Sequence, residues 1–280
     1  ITYLDLSGVA DLTGIEHFVA VDSLRLDQMG MGYWPQVLPP NVRYLFFGGN
    51  GISVVQGPFT INPSTLRRLE LRGCTFPEGL ALPVPTGVLR LKLTDCDYDL
   101  PLQLPAGLER FEFYDSSMLG GYTYQPTWPV GLDTLIITAI SAVSTWQGWF
   151  DGPLPNGLKQ LVLQGGGPGQ PALQLPALPS QLEDVRIDNV HVDDFPVWPL
   201  SLRKLWLGSV MDYWPSTGCV PALPPDLEEC VILYGNVTCL PNKPLGVAAS
   251  LASFSICSIW NSQCLGSNEI MGTVYNDLDS

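Results

Sequence analysis

An apolar motif recurs along the chain at a nearly constant spacing, and this period constrains the fold more than any other feature of the sequence. The motif reads apolar-x-x-apolar-x-apolar, and successive copies lie 20 to 26 residues apart. Its twelve copies begin at Ile1, Val21, Val42, Leu66, Val88, Leu108, Leu132, Leu158, Leu182, Leu202, Leu227 and Leu251. Because one short unit of this kind cannot bury its apolar face alone, a period of this length predicts units stacked into a solenoid.

A proline accompanies the motif at a constant offset. Nine of the twelve copies have it three residues before their first apolar position, and these prolines are Pro39, Pro63, Pro85, Pro105, Pro129, Pro155, Pro179, Pro199 and Pro224. Proline restricts its own φ and pushes the preceding residue into an extended conformation. The offset therefore predicts that the chain enters each repeat at the same angle.

The alternation inside the motif predicts one short strand per repeat. Alternate apolar residues share one face of a strand, so they point into a common core. Strands of successive repeats are expected to lie parallel, about 4.8 Å apart, in one concave sheet. The return segments are rich in Pro and Gly, as in residues 165–169. They predict extended or 3-10 structure on the convex side, with Leu12, Ile15 and Phe18 marking a short helical exception.

The combination of the proline and the motif resembles the bacterial leucine-rich repeat proteins of the LPX kind, in which Leu-Pro precedes Leu-x-x-Leu-x-Leu. Residues 175–182, Leu-Pro-Ala-Leu-Pro-Ser-Gln-Leu, match this pattern most clearly, and the resemblance covers about residues 1–260. It implies a β-rich leucine-rich repeat solenoid of about twelve repeats. The position usually filled by Asn or Cys is filled so only by Asn50, Cys74 and Cys96, which argues against a continuous asparagine ladder.

Both ends of the chain carry a further resemblance. Residues 4–8 and 11–16 are similar to surface repeat proteins of bacteria that use a type IX secretion route. Residues 270–279 resemble the first strand of a B-repeat-type immunoglobulin-like module of adhesins. We therefore expect residues 1–265 to form the solenoid with a C-terminal cap, and residues 266–280 to form a linker and the first strand of a following module. The resemblances imply a secreted or cell-surface protein with several domains.

The bulk composition excludes two classes of partner. A formal net charge of −14 argues against nucleic acid, because binding to phosphates needs a basic surface. No apolar run approaches the roughly 18 residues that span a membrane, so membrane insertion is not expected. The 46% hydrophobic content is sufficient for a substantial core.

The sequence offers little for catalysis, and we expect no enzyme, no cofactor and no metal site. His17 and His191 lie in distant repeats, which a solenoid keeps apart. There is no Gly-x-Ser-x-Gly elbow, phosphate loop or Cys-x-x-Cys pair. Asp95, Asp97 and Asp99 alternate as in a calcium loop, but Leu100 occupies the position that needs glycine.

The seven cysteines divide into two groups. Cys74 and Cys96 occupy the same position in neighbouring repeats, and Cys230 is a core strand position that we expect to be a buried thiol. The other four lie in the last quarter of the chain, where the solenoid needs a cap. They allow three pairings, of which we favour Cys219–Cys239 with Cys257–Cys264.

The basic residues concentrate on the predicted strands. Of the 13 lysines and arginines, all but Lys243 fall in the seven-residue segments that begin at each motif. These segments cover only 84 of the 280 positions. Projection onto a sheet gives an outward column of three arginines beside a column of mixed charge, flanked by outward aromatic side chains. The candidate ligand-binding residues are Arg68, Arg90, Arg110, Glu70, Lys92, Glu112, Arg72, Tyr44, Phe46 and Trp206.

Two functions fit this distribution. The first is a recognition or adhesion module that binds a protein or a glycan, with an anionic group, through the concave sheet. The second is a structural spacer of a larger surface protein, in which the same charges pair with one another and keep a flat sheet soluble. Clustered aromatic and arginine side chains at the outward positions favour the binding surface.

Overall fold

The computed structural model shows a parallel β-solenoid. It describes residues 2–9, 11–27, 37–52, 65–75, 84–98, 103–114, 117–118, 127–138, 146–165, 173–190, 192–208, 220–233 and 239–257. Among these residues, no helix is long and apolar enough to cross a membrane. The expected module at residues 266–280 lies outside the described residues, as do Pro63, His191, Cys219 and Cys264.

Seventeen strands are present in the described residues. They are β1 (Tyr3–Asp5), β2 (Ser23–Leu26), β3 (Tyr44–Ile52), β4 (Arg68–Cys74), β5 (Arg90–Thr94), β6 (Asp97–Tyr98), β7 (Arg110–Tyr114), β8 (Ser117–Met118), β9 (Thr134–Thr138), β10 (Gln160–Gln164), β11 (Leu173–Gln174), β12 (Asp184–Asp188), β13 (Val192–Asp194), β14 (Lys204–Leu207), β15 (Glu229–Ile232), β16 (Cys239–Leu240) and β17 (Ser255–Ile256). Eleven of them form the main sheet, in the order β1-β2-β3-β4-β5-β7-β9-β10-β12-β14-β15. Every pairing in this sheet is parallel, as the repeat pattern predicts.

The core runs as continuous rows along the inner face of the main sheet. One row joins Leu69, Leu91, Phe111, Leu135 and Leu161, which are register partners on neighbouring strands. All five are fully buried. Since burial of such a side chain contributes about 1.5–3 kcal/mol, each repeat stabilises the next one by covering its apolar face.

A tight turn explains why the proline lies at the same distance before the motif in most repeats. The Pro105 carbonyl accepts a hydrogen bond from the amide of Leu108 at 3.0 Å, and the Pro155 carbonyl accepts one from Leu158 at 3.1 Å. The same bond recurs after Pro39, Pro85, Pro129, Pro179, Pro199 and Pro224. Because proline has no N–H to satisfy, it suits the start of a turn that leads directly into the next strand.

Outside the main sheet, the described residues form short, irregular structure. Its parallel strand pairs are β6 with β8, β11 with β13, and β16 with β17. Helix in the described residues is limited to the α-helix α1 (Trp146–Phe150) and two 3-10 helices (Ile15–His17 and Leu245–Val247). The helical exception expected around Leu12 and Phe18 is the first of these 3-10 helices.

In several repeats a residue with left-handed backbone conformation directly follows the seven-residue segment that begins at the motif. It lies seven positions after the first apolar residue of its motif, and is Gly8, Gly73, Asp95, Gly165 or Asn189. Gly, Asn and Asp adopt this conformation most readily. At Gly73 a Cβ atom would lie 2.3 Å from the carbonyl oxygen of Gly49, so the neighbouring repeat also excludes a side chain.

The twelfth repeat does not contribute a strand to the main sheet. The prediction that its motif begins at Leu251 is wrong, because the repeat begins four residues earlier. The Pro244 carbonyl accepts a hydrogen bond from the Val247 amide at 3.1 Å, so Val247 takes the place of the first apolar residue. Ser250 then occupies a position that is apolar in the other repeats, and its hydroxyl donates to the Val247 carbonyl at 2.9 Å. The chain turns instead of extending, and the main sheet ends at β15.

The expected cysteine pairing is also wrong. Cys239 forms a disulfide with Cys257, with Cα atoms 4.9 Å apart. This excludes both Cys219–Cys239 and Cys257–Cys264. The physical reason is the stacking of repeats: β16 and β17 lie side by side, and the Cys257 amide donates to the Leu240 carbonyl at 2.9 Å. Stacking thus brings two cysteines that are 18 residues apart in the chain within disulfide distance.

Candidate ligand-binding surface

The parallel register gathers the sequence-predicted residues into columns on the solvent side of the main sheet. The first column joins Tyr44, Arg68, Arg90 and Arg110 as register partners. The second joins Phe46, Glu70, Lys92 and Glu112. Arg72 lies on the same strand as Glu70 and is the register partner of Thr94.

Six of these side chains line one shallow depression. It has a volume of about 220 Å³, and its lining consists of Leu91 and the charged residues Arg68, Glu70, Arg90, Lys92, Arg110 and Glu112. We call it the cationic depression. Four basic and two acidic side chains line it, and Arg72 lies beside it, so the local charge is positive in a chain whose formal net charge is −14.

Two of the basic residues are paired with acids on their own strands. Arg68 forms an ion pair with Glu70, and Arg110 forms one with Glu112. Each carboxylate also accepts a tyrosine hydrogen bond at 3.0 Å, from Tyr44 to Glu70 and from Tyr114 to Glu112. Both acids are largely buried, so these bonds hold their side chains in place.

The two tyrosines remain hydrogen-bond donors over the physiological range. Burial, followed by the negative charge of Glu70 and the hydrogen bond to it, raises the pKa of Tyr44 to about 12. Burial and the charge of Glu112 likewise raise the pKa of Tyr114 to about 12. Since ionisation would place a phenolate against a carboxylate, each tyrosine keeps its proton and its contact with the acid.

Three cations of this surface have no carboxylate partner among the described residues. Arg72 and Arg90 are exposed and form no ion pair there. The Lys92 ammonium lies 4.8 Å from the centre of the Tyr114 ring and likewise forms no ion pair with a described acid. Described acidic side chains thus neutralise only part of the positive charge of this surface.

Cations also cover the outward aromatic side chains. The Arg25 guanidinium lies 4.3 Å from the centre of the Phe46 ring, and that of Arg68 lies 4.9 Å from the Tyr44 ring. Arg186 lies 4.9 Å from the centre of the Trp206 ring. Such contacts contribute about 0.5–1 kcal/mol at exposed sites. The predicted stacking platforms are therefore partly occupied by basic side chains of the protein itself.

Trp206 does not share the cationic depression, although it lies in the same column of the sheet. It lines a second depression of about 370 Å³, which extends from Tyr114 on β7 to Glu229 on β15. Its lining includes two acidic and two basic side chains, which balance in charge, and the aliphatic residues Ile136 and Val162, which the sequence analysis missed. We call it the neutral depression. Its signal in the sequence is an apolar residue at the outward position of two successive strands, in Thr-Leu-Ile-Ile-Thr and Gln-Leu-Val-Leu-Gln.

The remaining reactive side chains form no further site in the described part of the chain. No group of three or more His, Cys, Asp or Glu there is arranged to hold a metal ion. His17 is exposed beside Glu16, at 3.6 Å. Cys230 is a buried free thiol, as expected, and burial raises its pKa to about 12. Cys74 and Cys96 are buried free thiols as well, and the hydrogen bond between them, together with burial, raises the pKa of Cys74 far above its usual range.

Comparison with solved structures identifies the class of fold. The architecture is that of a leucine-rich repeat solenoid, and it is similar to CroV588, described as a novel circular LRR protein structure. The TM-score is 0.51 with 17% sequence identity, over 79% of this chain and 34% of that one, so this chain spans about a third of the length of CroV588. YopM from Yersinia enterocolitica WA-314 also matches, with a TM-score of 0.34 and 16% identity over 81% of this chain and 63% of that chain. No family model matches the sequence, and neither does any curated protein sequence. Solenoids of this kind present an extended concave surface.

Proposed function

We propose that this chain is a recognition module that binds an anionic group of a protein or a glycan through the solvent side of its main sheet. The observation that carries the proposal is the unpaired charge of the cationic depression. Arg72, Arg90 and Lys92 have no described carboxylate partner, while the chain as a whole is strongly acidic. A local positive field of this kind attracts an anionic partner and sets the orientation of its approach.

We further propose that the protein acts in adhesion, as a secreted or cell-surface protein of bacterial origin with further domains. The Leu-Pro repeat pattern and the resemblances at both chain ends support this setting. The disulfide between Cys239 and Cys257 supports it independently, because such bonds persist mainly in oxidising compartments.

The alternative is a spacer without a ligand, and one observation favours it. Several outward charges are paired within the sheet, including Arg186 with Asp188 at 3.7 Å and Lys204 with Glu229 at 3.8 Å. A lattice of such pairs keeps a sheet soluble while contributing little to stability. If the chain is a spacer, replacing Arg72 and Arg90 should leave its retention on an anionic probe unchanged.

Elution from two anionic probes under a salt gradient separates the two functions. The probes are immobilised heparin and immobilised poly-L-glutamate. The variant Arg72→Gln with Arg90→Gln removes two unpaired charges, and Lys159→Gln with Lys243→Gln removes two charges elsewhere on the chain. We expect the first variant to elute from at least one probe at lower salt than wild type, and the second to elute as wild type does. Equal elution of all three proteins from both probes would support the spacer.

A further inference from the structure

The cationic and neutral depressions are adjacent parts of one continuous surface. Strand β7 contributes Glu112 to the first and Tyr114 to the second. The second column continues from Lys92 through Glu112 and Ile136 to Val162 without a break in register. A ligand lying across the strands would therefore meet a charged region first and an apolar region next.

The apolar centre of the neutral depression has no evident role in the core. The inward residues of the same two strands already fill the core, and Leu135, Ile137, Leu161 and Leu163 are all buried. Ile136 and Val162 point to the other face, where outward positions on neighbouring strands are mostly charged. The other outward residues of these two strands are threonines on β9 and glutamines on β10. The result is an uncharged strip two strands wide, in which Ile136 is only 8% exposed and the half-buried Val162 is the more accessible aliphatic side chain.

We infer that the partner is an extended protein segment that places acidic side chains on the cationic depression and an aliphatic or aromatic side chain on Ile136 and Val162. This inference rests on the proposed recognition function and names the chemistry of its partner. Arg90 on β5 and Val162 on β10 are three strand spacings apart, which corresponds to about 14 Å. An extended peptide advances about 3.4 Å per residue, so about four residues separate the two parts of the motif.

The contacts of the aromatic side chains favour a protein over a glycan. Sugars bind largely by stacking on aromatic rings, and here a basic side chain lies over each of Tyr44, Phe46, Tyr114 and Trp206. A sugar would have to displace these cations from the rings. The aliphatic surface of Ile136 and Val162 instead suits an apolar side chain, for which burial of area supplies the binding free energy.

Selection of peptides on the immobilised full chain tests the inference. A phage-displayed library of random dodecapeptides is the probe, and the selected peptides are then synthesised and their affinities measured. We expect enrichment of peptides with a cluster of Asp or Glu and a Leu, Ile, Phe or Trp about four positions away. Arg72→Gln with Arg90→Gln should weaken the selected peptides about tenfold or more. Val162→Gln, which leaves the charge unchanged, should weaken them by about tenfold.

Two controls separate loss of binding from loss of folding. Val162→Thr keeps the size and branching of the side chain and should weaken binding by only about threefold. Lys159→Gln with Lys243→Gln should leave the affinity within about twofold of wild type. A circular dichroism melt of each variant identifies any protein that has unfolded.

Each contrary outcome has a distinct meaning. Enriched peptides that are acidic but insensitive to Val162→Gln would overturn the two-part motif and leave the proposed recognition function standing. Failure to enrich any peptide, together with Arg90-dependent binding to heparin, would overturn the protein segment in favour of an acidic glycan. Failure to enrich any peptide, with no dependence on Arg72 and Arg90 in the elution test, would overturn both proposals.

Discussion

Cys239 and Cys257 are 18 residues apart in the chain and are joined by a disulfide between the parallel strands β16 and β17. The bond ties β16 to β17 at the point where the main sheet has already ended. Beyond β15, Val247 and Leu251 are both buried and cover an end of the core that would otherwise be exposed to solvent. The disulfide therefore holds the cap against the last repeat.

Loss of this disulfide should destabilise the C-terminal end first. Closing a loop of this length restricts the unfolded chain and contributes about 3 kcal/mol. We expect Cys239→Ser with Cys257→Ser to accelerate hydrogen exchange at residues 239–257 while the strands β4 to β10 keep their protection. Dithiothreitol should produce the same change in wild type and none in the double variant. Peptide mapping of the non-reduced protein that pairs Cys239 with another cysteine would contradict this prediction.

Binding of an anionic partner should depend on salt through the column of arginines. Arg90→Ala with Arg110→Ala removes two neighbouring charges, and we expect weaker binding to an anionic probe, with a larger difference at low salt than at high salt. Arg90→Ala alone serves as the matched control for the loss of the Arg110–Glu112 ion pair. The measurement is the dissociation constant at several salt concentrations. A double variant that binds as tightly as wild type would place the binding surface elsewhere on the chain.

Two tyrosines should lose their phenolic protons at a higher pH than an ordinary tyrosine does. Tyr44 and Tyr114 have pKa values raised to about 12 in the folded state, against the ordinary tyrosine value of 10.0. The unfolded chain loses these protons first, so the stability that they contribute is fully present below pH 10 and is lost as the pH rises towards 12. In an alkaline titration followed by tyrosinate absorbance, the double variant Tyr44→Phe with Tyr114→Phe should therefore lack two of the tyrosines that ionise at high pH in wild type. Glu70→Gln should lower the pKa of Tyr44 only in part, because burial is the largest cause.

Two glycines occupy the same position in their repeats, but replacing each with alanine should lower the free energy of unfolding by different amounts. Gly8 and Gly73 both have positive φ, but nothing lies within 4 Å of a Cβ atom built on Gly8, whereas one on Gly73 would lie 2.3 Å from the Gly49 carbonyl oxygen. Gly8→Ala should cost only the conformational strain of about 1 kcal/mol. Gly73→Ala should cost about 3 kcal/mol or more, because the backbone of the neighbouring repeat must move. Chemical denaturation measures both, and equal costs would contradict the close approach.

The sequence by itself determined the class of fold and the charged columns of the candidate surface. In the segment Arg90-Leu91-Lys92-Leu93, alternation alone assigns the leucines to the core and the cations to solvent, because strand side chains alternate between faces. Repetition at a nearly fixed spacing then aligns equivalent positions, so Arg68, Arg90 and Arg110 form a column in any parallel stack of these strands. Both conclusions depend only on local periodicity, which the amino-acid sequence contains directly.

Only the tertiary structure decided features that depend on distances between repeats. It paired Arg68 and Arg110 with acids of their own strands and left Arg90 without an acidic partner among the described residues, a difference that depends on side-chain conformations which a register cannot specify. It joined the surfaces around Lys92 and Val162 into one. Near the C-terminal end it paired Cys239 with Cys257, because stacking places residues one repeat apart side by side on adjacent strands.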